Sequence, residues 1–286
     1  MIIDMRLRPP LPTWTKQAQF GVGNHYYPTR KGFPRPASAE KRSLPLLLKE
    51  MDEAGINIGV VMGRQSVEPL GVIPNDEIAD CVRQHPTRFV GWAGIDLALP
   101  MDGCLAEINR CVRSLGFKGV SIEPTISRDL SLIRADDRRL YPIYEECLKL
   151  DVPINITLSA ALQMQGQRRY EDGTPNQICD VARDFPKLDI HVAHAGWPMV
   201  MDMIGVAFIF PNVWLSPDQY LIKQIPGALE YVTAANNYFE ERTLFGSSYP
   251  SKPLAEMVQE YQGWNWKPGV LDGVFGKNAL RLMRMA

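Results

Sequence analysis

Short apolar segments alternate with amphipathic helical segments along almost the whole chain, and this alternation is the strongest constraint on the fold. The pattern predicts eight strands, at residues 1–7, 58–62, 89–95, 119–122, 152–158, 190–194, 213–215 and 243–245. Helical stretches between strands indicate crossover connections, which make neighbouring strands parallel. Eight parallel strands close a barrel. The main alternative is an open doubly wound sheet, but the GxGxxG motif typical of that fold does not follow the first strand of this chain. We therefore predict an α/β fold, a (β/α)8 TIM barrel.

The length of 286 residues suits one such barrel, which typically takes about 250 residues, so residues 1–286 are predicted to form a single TIM-barrel domain. The connection after the first strand, residues 9–42, is long and rich in proline and aromatic residues. Long loops in compact domains usually serve as lids or interfaces, so we predict a lid-like insertion. His25 lies on this segment and is a candidate ligand contact.

The charge balance excludes several classes of partner. The chain has 31 basic and 32 acidic residues, and no long run of one charge, so we expect no nucleic-acid partner. No apolar run is long enough to span a membrane, and the N-terminus does not read as a signal peptide, so we expect no membrane association. The five cysteines are widely scattered and include no CxxC pair, which indicates free thiols and a cytoplasmic protein.

The carboxyl ends of the predicted strands carry polar side chains where a barrel places its active site. The candidates, in chain order, are Arg6, Arg8, Arg64, Asp96, Glu123, Thr157, His194, Asp218, Ser247, Ser248 and Tyr249.

The two arginines on the first strand are the most informative of these residues. Strict alternation places Asp4, Arg6 and Arg8 on one face and Met5 and Leu7 on the other, so both guanidinium groups point into the barrel mouth. A guanidinium group stays charged and cannot ligate a metal, so it must meet an anion. That anion is either a substrate carboxylate or phosphate, or an internal partner such as Asp4, Glu123 or Asp218.

His194 ends the sixth strand, and it is the candidate whose ordinary pKa suits proton transfer near neutral pH. We predict a catalytic role for His194, with Asp218 as its catalytic neighbour, against the alternative of a purely structural hydrogen bond. His191 has the opposite parity on the same strand and is expected to face the helices or the barrel wall.

Nine segments of the chain, in this order, form a pattern shared with a known family. They are MIIDMRLRP, LLKEMDEAGINIGVVMG, PNDEIADCVRQHPTRFVGWAGID, GFKGVSIEP, LYPIYEECLKLDVPINIT, HVAHAGWP, PNVWLS, LFGSSYPS and GKNALRLM. In these segments the chain resembles the amidohydrolase-related family that includes aminocarboxymuconate-semialdehyde decarboxylase, aromatic-acid decarboxylases and pyrone-dicarboxylate lactonase. The resemblance runs over nearly the whole length, and it implies the same TIM-barrel fold and is compatible with a homodimer.

The departures from this family concern its metal ligands. The His-x-His pair of the family's first strand matches Arg6 and Arg8, and its strand-five histidine matches Thr157. The strand-eight aspartate matches Ser248, and the strand-six histidine is retained as His194. A zinc site needs at least three good donors, so we predict no catalytic metal and no other cofactor.

Two guanidinium groups carry about the charge of the lost divalent ion, in a geometry that suits carboxylates. We therefore predict a metal-independent hydrolase or lyase, of the decarboxylase or lactonase kind, that acts on a small anionic, carboxylated substrate. The predicted substrate-binding residues are Arg6, Arg8, Arg64, Glu123, Thr157, Ser248 and Tyr249. The alternatives are a non-catalytic anion-binding pseudoenzyme or sensor, and a structural role in which the arginines are paired internally.

Overall fold

A computed structural model of the chain describes residues 1–21, 33–68, 70–132, 134–162 and 169–286. Seven parallel strands follow one another in sequence order around one sheet, and each pairs with the next. They are β1 (Ile2–Asp4), β2 (Ile56–Met62), β3 (Phe89–Gly94), β4 (Val120–Ile122), β5 (Ile154–Thr157), β6 (Ile190–Ala193) and β7 (Val213–Ser216).

The segment predicted as an eighth strand closes the sheet between β7 and β1. The amide of Leu244 donates to the carbonyl of Leu215 at 2.9 Å, on the β7 side. The amide of Met5 donates to the carbonyl of Phe245 at 2.9 Å, on the β1 side. Because the backbone hydrogen bonds on both sides are satisfied, the sheet has no open edge here, and the (β/α)8 prediction is confirmed.

Helices flank the strands throughout the described part of the chain. They are α1 (Ala37–Glu40), α2 (Leu44–Glu53), α3 (Asn75–Gln84), α4 (Met101–Asn109), α5 (Tyr141–Lys149), α6 (Asn176–Asp184), α7 (Val200–Ile209), α8 (Ala228–Asn237), α9 (Leu254–Gln262), α10 (Val270–Asp272) and α11 (Asn278–Leu282). No helix in these ranges is both long and apolar enough to cross a membrane.

Helix α2 shows how local sequence sets such an element. Ser43 precedes the helix in extended conformation, and its hydroxyl accepts a hydrogen bond from the amide of Leu46 at 3.3 Å. Pro45 occupies the first turn, where a missing N–H is not needed. Leu47 and Met51, four residues apart, face the barrel and are fully buried. The helix therefore starts and packs as its sequence dictates.

The core has two parts. Most of the buried apolar side chains form one large cluster, and a smaller, separate cluster forms the second part. We call the smaller cluster the apolar layer; it contains Ile3, Met5, Val60, Met62, Val90, Trp92, Trp214, Leu244, Ala279, Leu282 and Met283. Gly119 makes room for the largest of these side chains, since a Cβ there would lie 2.4 Å from the indole of Trp92.

The predicted alternation of the first strand is wrong beyond Asp4. Strand β1 ends at Asp4, and the amide of Arg6 donates to Asp4 Oδ1 at 2.9 Å, which turns the chain at Met5 and Arg6. Met5 consequently packs in the apolar layer while Leu7 packs in the outer cluster, so the two do not share a face. A short polar side chain competing for the backbone is the physical reason.

Candidate active site

Polar and charged side chains collect where the strands end. The structure brings together Arg6 and Arg8 after β1, Arg64 after β2, and Glu123 after β4. Thr157 ends β5, His194 follows β6, and Asp218 follows β7. These side chains are all at least nine-tenths buried. We call these seven residues, together with Ser248, which follows the predicted eighth strand, the polar mouth.

Glu123 is the central acceptor of the polar mouth. Its carboxylate receives Nε and a terminal nitrogen of Arg64, each at 3.0 Å, and a terminal nitrogen of Arg6 at 3.4 Å. The hydroxyl of Ser66 donates to it as well. Burial alone would raise the pKa of Glu123, but Arg64 and Arg6 together hold it well below its ordinary value. Glu123 is therefore a fixed carboxylate that neutralises part of the arginine cluster.

Arg6 is satisfied largely by the protein itself. Besides Glu123, its guanidinium donates to the hydroxyl of Thr157 at 2.9 Å. That hydroxyl also accepts from the amide of Asn155 at 3.1 Å. Burial lowers the pKa of Arg6, and Glu123 opposes the shift. Thr157 thus serves as a partner for an arginine at the position where the family pattern has a histidine.

Arg8 differs from the other two arginines. Its protein partner is the carbonyl of Tyr249, at 3.3 Å, and no carboxylate of the described residues forms an ion pair with it. Burial, together with the charges of Arg64 and Arg6, lowers the pKa of Arg8 well below its ordinary value. A buried cation without a counter-charge is costly, so this group is the one in the polar mouth that most favours an external anion.

A small cavity lies beside these arginines and has room for about one water molecule. It is lined by Arg6, Leu7, Arg8, Met62, Gly63, Arg64 and Glu123.

His194 and Asp218 form a second unit in the polar mouth. His194 Nδ1 lies 3.1 Å from Asp218 Oδ2, and the backbone amide of His194 donates to the same oxygen at 3.1 Å. Burial lowers the pKa of His194 to about 4, even though Asp218 opposes the shift. Burial raises the pKa of Asp218, but the contact with His194 outweighs it and the net shift is downward. The imidazole is consequently neutral at neutral pH and can accept a proton.

Backbone strain marks the same strand ends. His194, Asp218 and Ser248 all adopt the left-handed region, with φ of +68°, +53° and +57°. Such conformations cost roughly 1 kcal/mol or more in residues other than glycine and concentrate at functional sites. Gly246 is required beside them, because a Cβ there would lie 2.1 Å from Asp218 Oδ1. The glycine of the GSSYP segment therefore allows Asp218 to reach the mouth.

The remaining predicted site residues differ in whether their side chains are available to a ligand in the polar mouth. Ser248 Oγ is buried with no hydrogen-bond partner in the described residues, so it is available to a ligand. The hydroxyl of Tyr249 points away from the arginines and lies 2.6 Å from Ser38 Oγ. Asp96 lies outside the mouth and pairs with Arg128 at 2.5 Å. His25 lies outside the described residues.

Sequence reasoning missed one group and misplaced two others. Ser66 binds Glu123 but has no signal in the sequence. Asp4, named above as a possible partner of the arginines, instead accepts a hydrogen bond from the backbone amide of Ser247 at 2.9 Å, and burial raises the pKa of Asp4 to about 6.

The predicted outward orientation of His191 is wrong. Its ring meets Trp92 at 6.0 Å and its Nε2 lies 2.6 Å from Ser216 Oγ. Strands β3 and β6 are not neighbours, so a contact between His191 and Trp92 passes through the barrel interior.

The donor set does not suit the divalent metal that the fold family implies. Two of the five positions that match the family's metal ligands are guanidinium groups, and the Thr157 hydroxyl is already taken by Arg6. Across the described ranges, no three His, Cys, Asp or Glu side chains converge in a way that would hold an ion. Zinc requires three or more nitrogen, oxygen or sulfur ligands of good donor strength, which this arrangement does not offer.

The chain is similar to curated enzymes whose names specify carboxylated compounds. The chain is 26% identical over 213 residues to 2-amino-3-carboxymuconate-6-semialdehyde decarboxylase of Dictyostelium discoideum, which is 64% of this chain and 57% of that protein. It is 34% identical over 104 residues to 2-keto-4-carboxy-3-hexenedioate hydratase of a Sphingobium strain, which is 35% of this chain and 30% of that protein. The chain thus matches less than two thirds of the length of these curated relatives.

Solved structures match over nearly the full length. A TIM-barrel protein from Bordetella bronchiseptica has a TM-score of 0.91 and 32% identity, with 99% of this chain and 98% of that chain covered. A 2,6-dihydroxybenzoate decarboxylase from Rhizobium shares the fold, with a TM-score of 0.72, 17% identity, and 99% and 98% coverage. The amidohydrolase family pattern matches residues 3–285. The chain therefore belongs to the amidohydrolase family, as a divergent member that lacks the usual metal ligands.

Proposed function

We propose that the protein is a metal-independent lyase or hydrolase that acts on a small carboxylated compound. The observation that carries this proposal is Arg8, a buried guanidinium in the polar mouth that has no carboxylate partner among the described residues. A substrate carboxylate is the anion that would complete its hydrogen bonds and offset its desolvation. Arg6 and Arg64 already share Glu123, so the clamp consists of Arg8 supported by its neighbours rather than of Arg6 and Arg8 equally.

The chemistry of the relatives supports the same substrate class. They include decarboxylases and a hydratase whose names specify carboxylated compounds. Their family fold places the reacting centre at the carboxyl ends of the strands, which is where Arg8, His194 and Asp218 lie. We extend the substrate class to this chain on these grounds, together with the charge of the mouth.

Within this mouth, His194 is the proposed proton acceptor. With its pKa lowered to about 4, the imidazole is neutral at pH 7 and is in the form that accepts a proton, and the same shift makes it a weaker base than an ordinary histidine. Asp218, 3.1 Å away, orients the imidazole and stabilises the charge it gains. This arrangement favours a step that begins with deprotonation of water or of a substrate carbon. The guanidinium groups then stabilise the negative charge that develops on the substrate oxygen.

The proposal is tested by turnover measured on a panel of small unsaturated and aromatic carboxylic acids and lactones, with EDTA present. We expect turnover that His194→Ala reduces by at least about 100-fold, because general-base catalysis typically contributes that much. His85→Ala is the matched control, since His85 lies at the end of α3 outside the polar mouth, and it should leave turnover unchanged. Turnover that requires added zinc or manganese would contradict metal independence.

A second candidate function is anion binding without turnover. It is favoured by Thr157, whose hydroxyl oxygen accepts from both Arg6 and Asn155 and therefore has no lone pair left to accept a hydrogen bond from a nucleophilic water. Under this function a carboxylate would bind with loss of affinity in Arg8→Met, and no product would form at any pH. Binding without product across the whole panel would favour this second candidate over the first.

A further inference from the structure

Tyr249 joins the polar mouth to the connection of residues 9–42. Its carbonyl accepts a hydrogen bond from Arg8 at 3.3 Å, and its backbone pairs with Leu7, the residue before Arg8, in a parallel bridge. Its side chain is fully buried, and the phenol oxygen lies 2.6 Å from Ser38 Oγ, on α1. One residue thus contacts Arg8 with its main chain and the connection with its side chain.

The hydrogen bonds beyond Ser38 fix the direction of this contact. The carboxylate of Glu50, on α2, accepts from the Ser38 amide at 2.8 Å and from the Ser38 hydroxyl. A carboxylate only accepts, so the single hydrogen of that hydroxyl is used by Glu50. Ser38 Oγ therefore accepts from the phenol of Tyr249. The series from Tyr249 through Ser38 to Glu50 has one arrangement of donors and acceptors.

Other contacts fix the ring and the main chain of Tyr249. The ring meets Phe20, also on the connection, edge to face at 6.4 Å. Arg35 in turn donates to the carbonyls of Phe20 at 2.8 Å and Gly21 at 3.0 Å. In the polar mouth, the amide of Tyr249 donates to Ser247 Oγ at 2.9 Å. The carbonyl that Arg8 meets is therefore held at a defined position.

Arg8 is the arginine of the polar mouth for which this support matters most. Glu123 binds Arg6 and Arg64 with its carboxylate oxygens, whereas Arg8 donates to a main-chain carbonyl and forms no ion pair with a described carboxylate. An arginine side chain has considerable rotamer freedom, and ordering it during binding costs free energy. A carbonyl that is itself fixed orders the guanidinium before the ligand arrives, which reduces that cost.

We propose that Tyr249 is a positioning residue that directs the Arg8 guanidinium through its carbonyl, and that Ser38 and Glu50 fix Tyr249 from outside the polar mouth. In this role the phenol hydroxyl does not contact the substrate, in contrast to the substrate contact that the sequence predicted. The inference rests on the proposed function, because the ligand concerned is the carboxylate at Arg8. It adds that two helices outside the mouth influence how tightly that carboxylate binds.

The first test is calorimetric titration of small aromatic and unsaturated carboxylates, benzoate and fumarate among them. We expect Tyr249→Phe and Ser38→Ala each to weaken binding about 5- to 10-fold, the equivalent of one ordinary hydrogen bond. In the Arg8→Met background, Tyr249→Phe should change the affinity no further, because it acts through Arg8.

The matched control is Tyr144→Phe, on α5 outside the polar mouth. Tyr144 is also fully buried, and its hydroxyl donates to a main-chain carbonyl, that of Ala135, at 2.5 Å. Thermal unfolding should show a similar loss of stability in Tyr144→Phe and Tyr249→Phe, since each loses one buried hydrogen bond. Only Tyr249→Phe should lose affinity, and this difference separates a positioning role from a merely structural one.

The second test needs no ligand, so it keeps this inference separate from the proposed function. Crystal structures of wild type and Tyr249→Phe should show the Arg8 guanidinium displaced by about 1 Å in the variant, a misplacement large enough to impair a site. If no carboxylate binds to the wild type, the proposed function fails and this comparison alone decides the inference. An unmoved guanidinium, equal affinity losses in Tyr249→Phe and Tyr144→Phe, or a further loss in the Arg8→Met background would each overturn it.

Discussion

The two layers of the barrel interior are built from the same strands but have opposite chemistry. The apolar layer holds Trp92 and Met5 in a closely packed cluster with few polar atoms. The polar mouth holds three arginines, one fully paired glutamate and a histidine–aspartate unit, all buried. The apolar layer gains stability from burial, whereas the polar mouth carries desolvated charge and left-handed backbone. Stability and candidate function are therefore carried by different side chains of the same barrel, and this separation is testable.

Removing the largest side chain of the apolar layer should have the largest effect on stability. We expect Trp92→Ala to lower the free energy of unfolding by about 4 kcal/mol, because it leaves a cavity in a region that cannot collapse. Ligand affinity measured in the folded variant should stay within about twofold of wild type. Chemical denaturation and calorimetry check the two quantities. A large loss of affinity with little loss of stability would show that the apolar layer supports ligand binding rather than stability.

Removing the central acceptor of the polar mouth should come next. We expect Glu123→Gln to lower the free energy of unfolding by about 3 kcal/mol, since Arg6 and Arg64 lose their shared counter-charge. Added carboxylate should restore part of this loss in thermal unfolding, because an external anion replaces the lost charge. Glu145→Gln, on the exposed side of α5, is the control and should be neutral.

The effect of replacing Arg8 should have the opposite sign. We expect Arg8→Met to raise the free energy of unfolding by about 1–2 kcal/mol, because it removes an uncompensated buried charge and keeps the apolar stem. Thermal unfolding in buffer free of carboxylates measures this gain. A destabilised variant would mean that Arg8 is already satisfied within the protein, which would support the structural alternative.

The smallest expected effect concerns pH, because one buried histidine, His191, contacts Trp92 of the apolar layer and another, His194, lies in the polar mouth. Burial lowers the pKa of His191 to about 3 and that of His194 to about 4, so the unfolded state binds protons first as pH falls below 6.5. Each should cost about 1 kcal/mol of stability between pH 7 and pH 5.5. Asp4, with its pKa raised to about 6, acts in the opposite direction over the same window.

The contribution of one histidine is isolated by comparing the wild type with His191→Asn. The variant should lose about 1 kcal/mol less than the wild type over that pH interval, by denaturant titration at both pH values. Equal slopes for the two proteins would show that His191 is not held neutral by burial.

Much of the fold was predictable because it depends on periodic patterns. The alternation of apolar runs and helices predicted the barrel, and the positions of Arg6, Arg8, Arg64 and His194 at strand ends predicted their convergence. The predicted strand pattern fails after Asp4, because the Asp4 side chain accepts a hydrogen bond from the backbone amide of Arg6, which turns the backbone and ends β1 early. The alternation of side chains between the two faces of a strand does not predict such a hydrogen bond, since the alternation assumes an uninterrupted strand.

The internal pairing of the site could not be read from the sequence. Arg6 and Arg8 look equivalent by spacing, and only the three-dimensional position of Glu123 shows that Arg6 and Arg64 share it while Arg8 does not. The pKa of His194 was likewise expected to suit proton transfer near neutrality, and burial lowers it to about 4. Pairing and desolvation depend on distances between residues remote in sequence, which patterns do not contain.

The most direct test of the central claim is calorimetric titration of small aromatic and unsaturated carboxylates, with EDTA present, into wild type and Arg8→Met. We expect one carboxylate to bind to each wild-type chain. Binding to Arg8→Met should be at least about 100-fold weaker, since a charge-assisted contact of roughly 3 kcal/mol is lost. Arg83→Met, on the exposed face of α3, should bind as wild type does. Equal affinity of wild type and Arg8→Met, or binding that appears only after a divalent metal is added, would contradict the account.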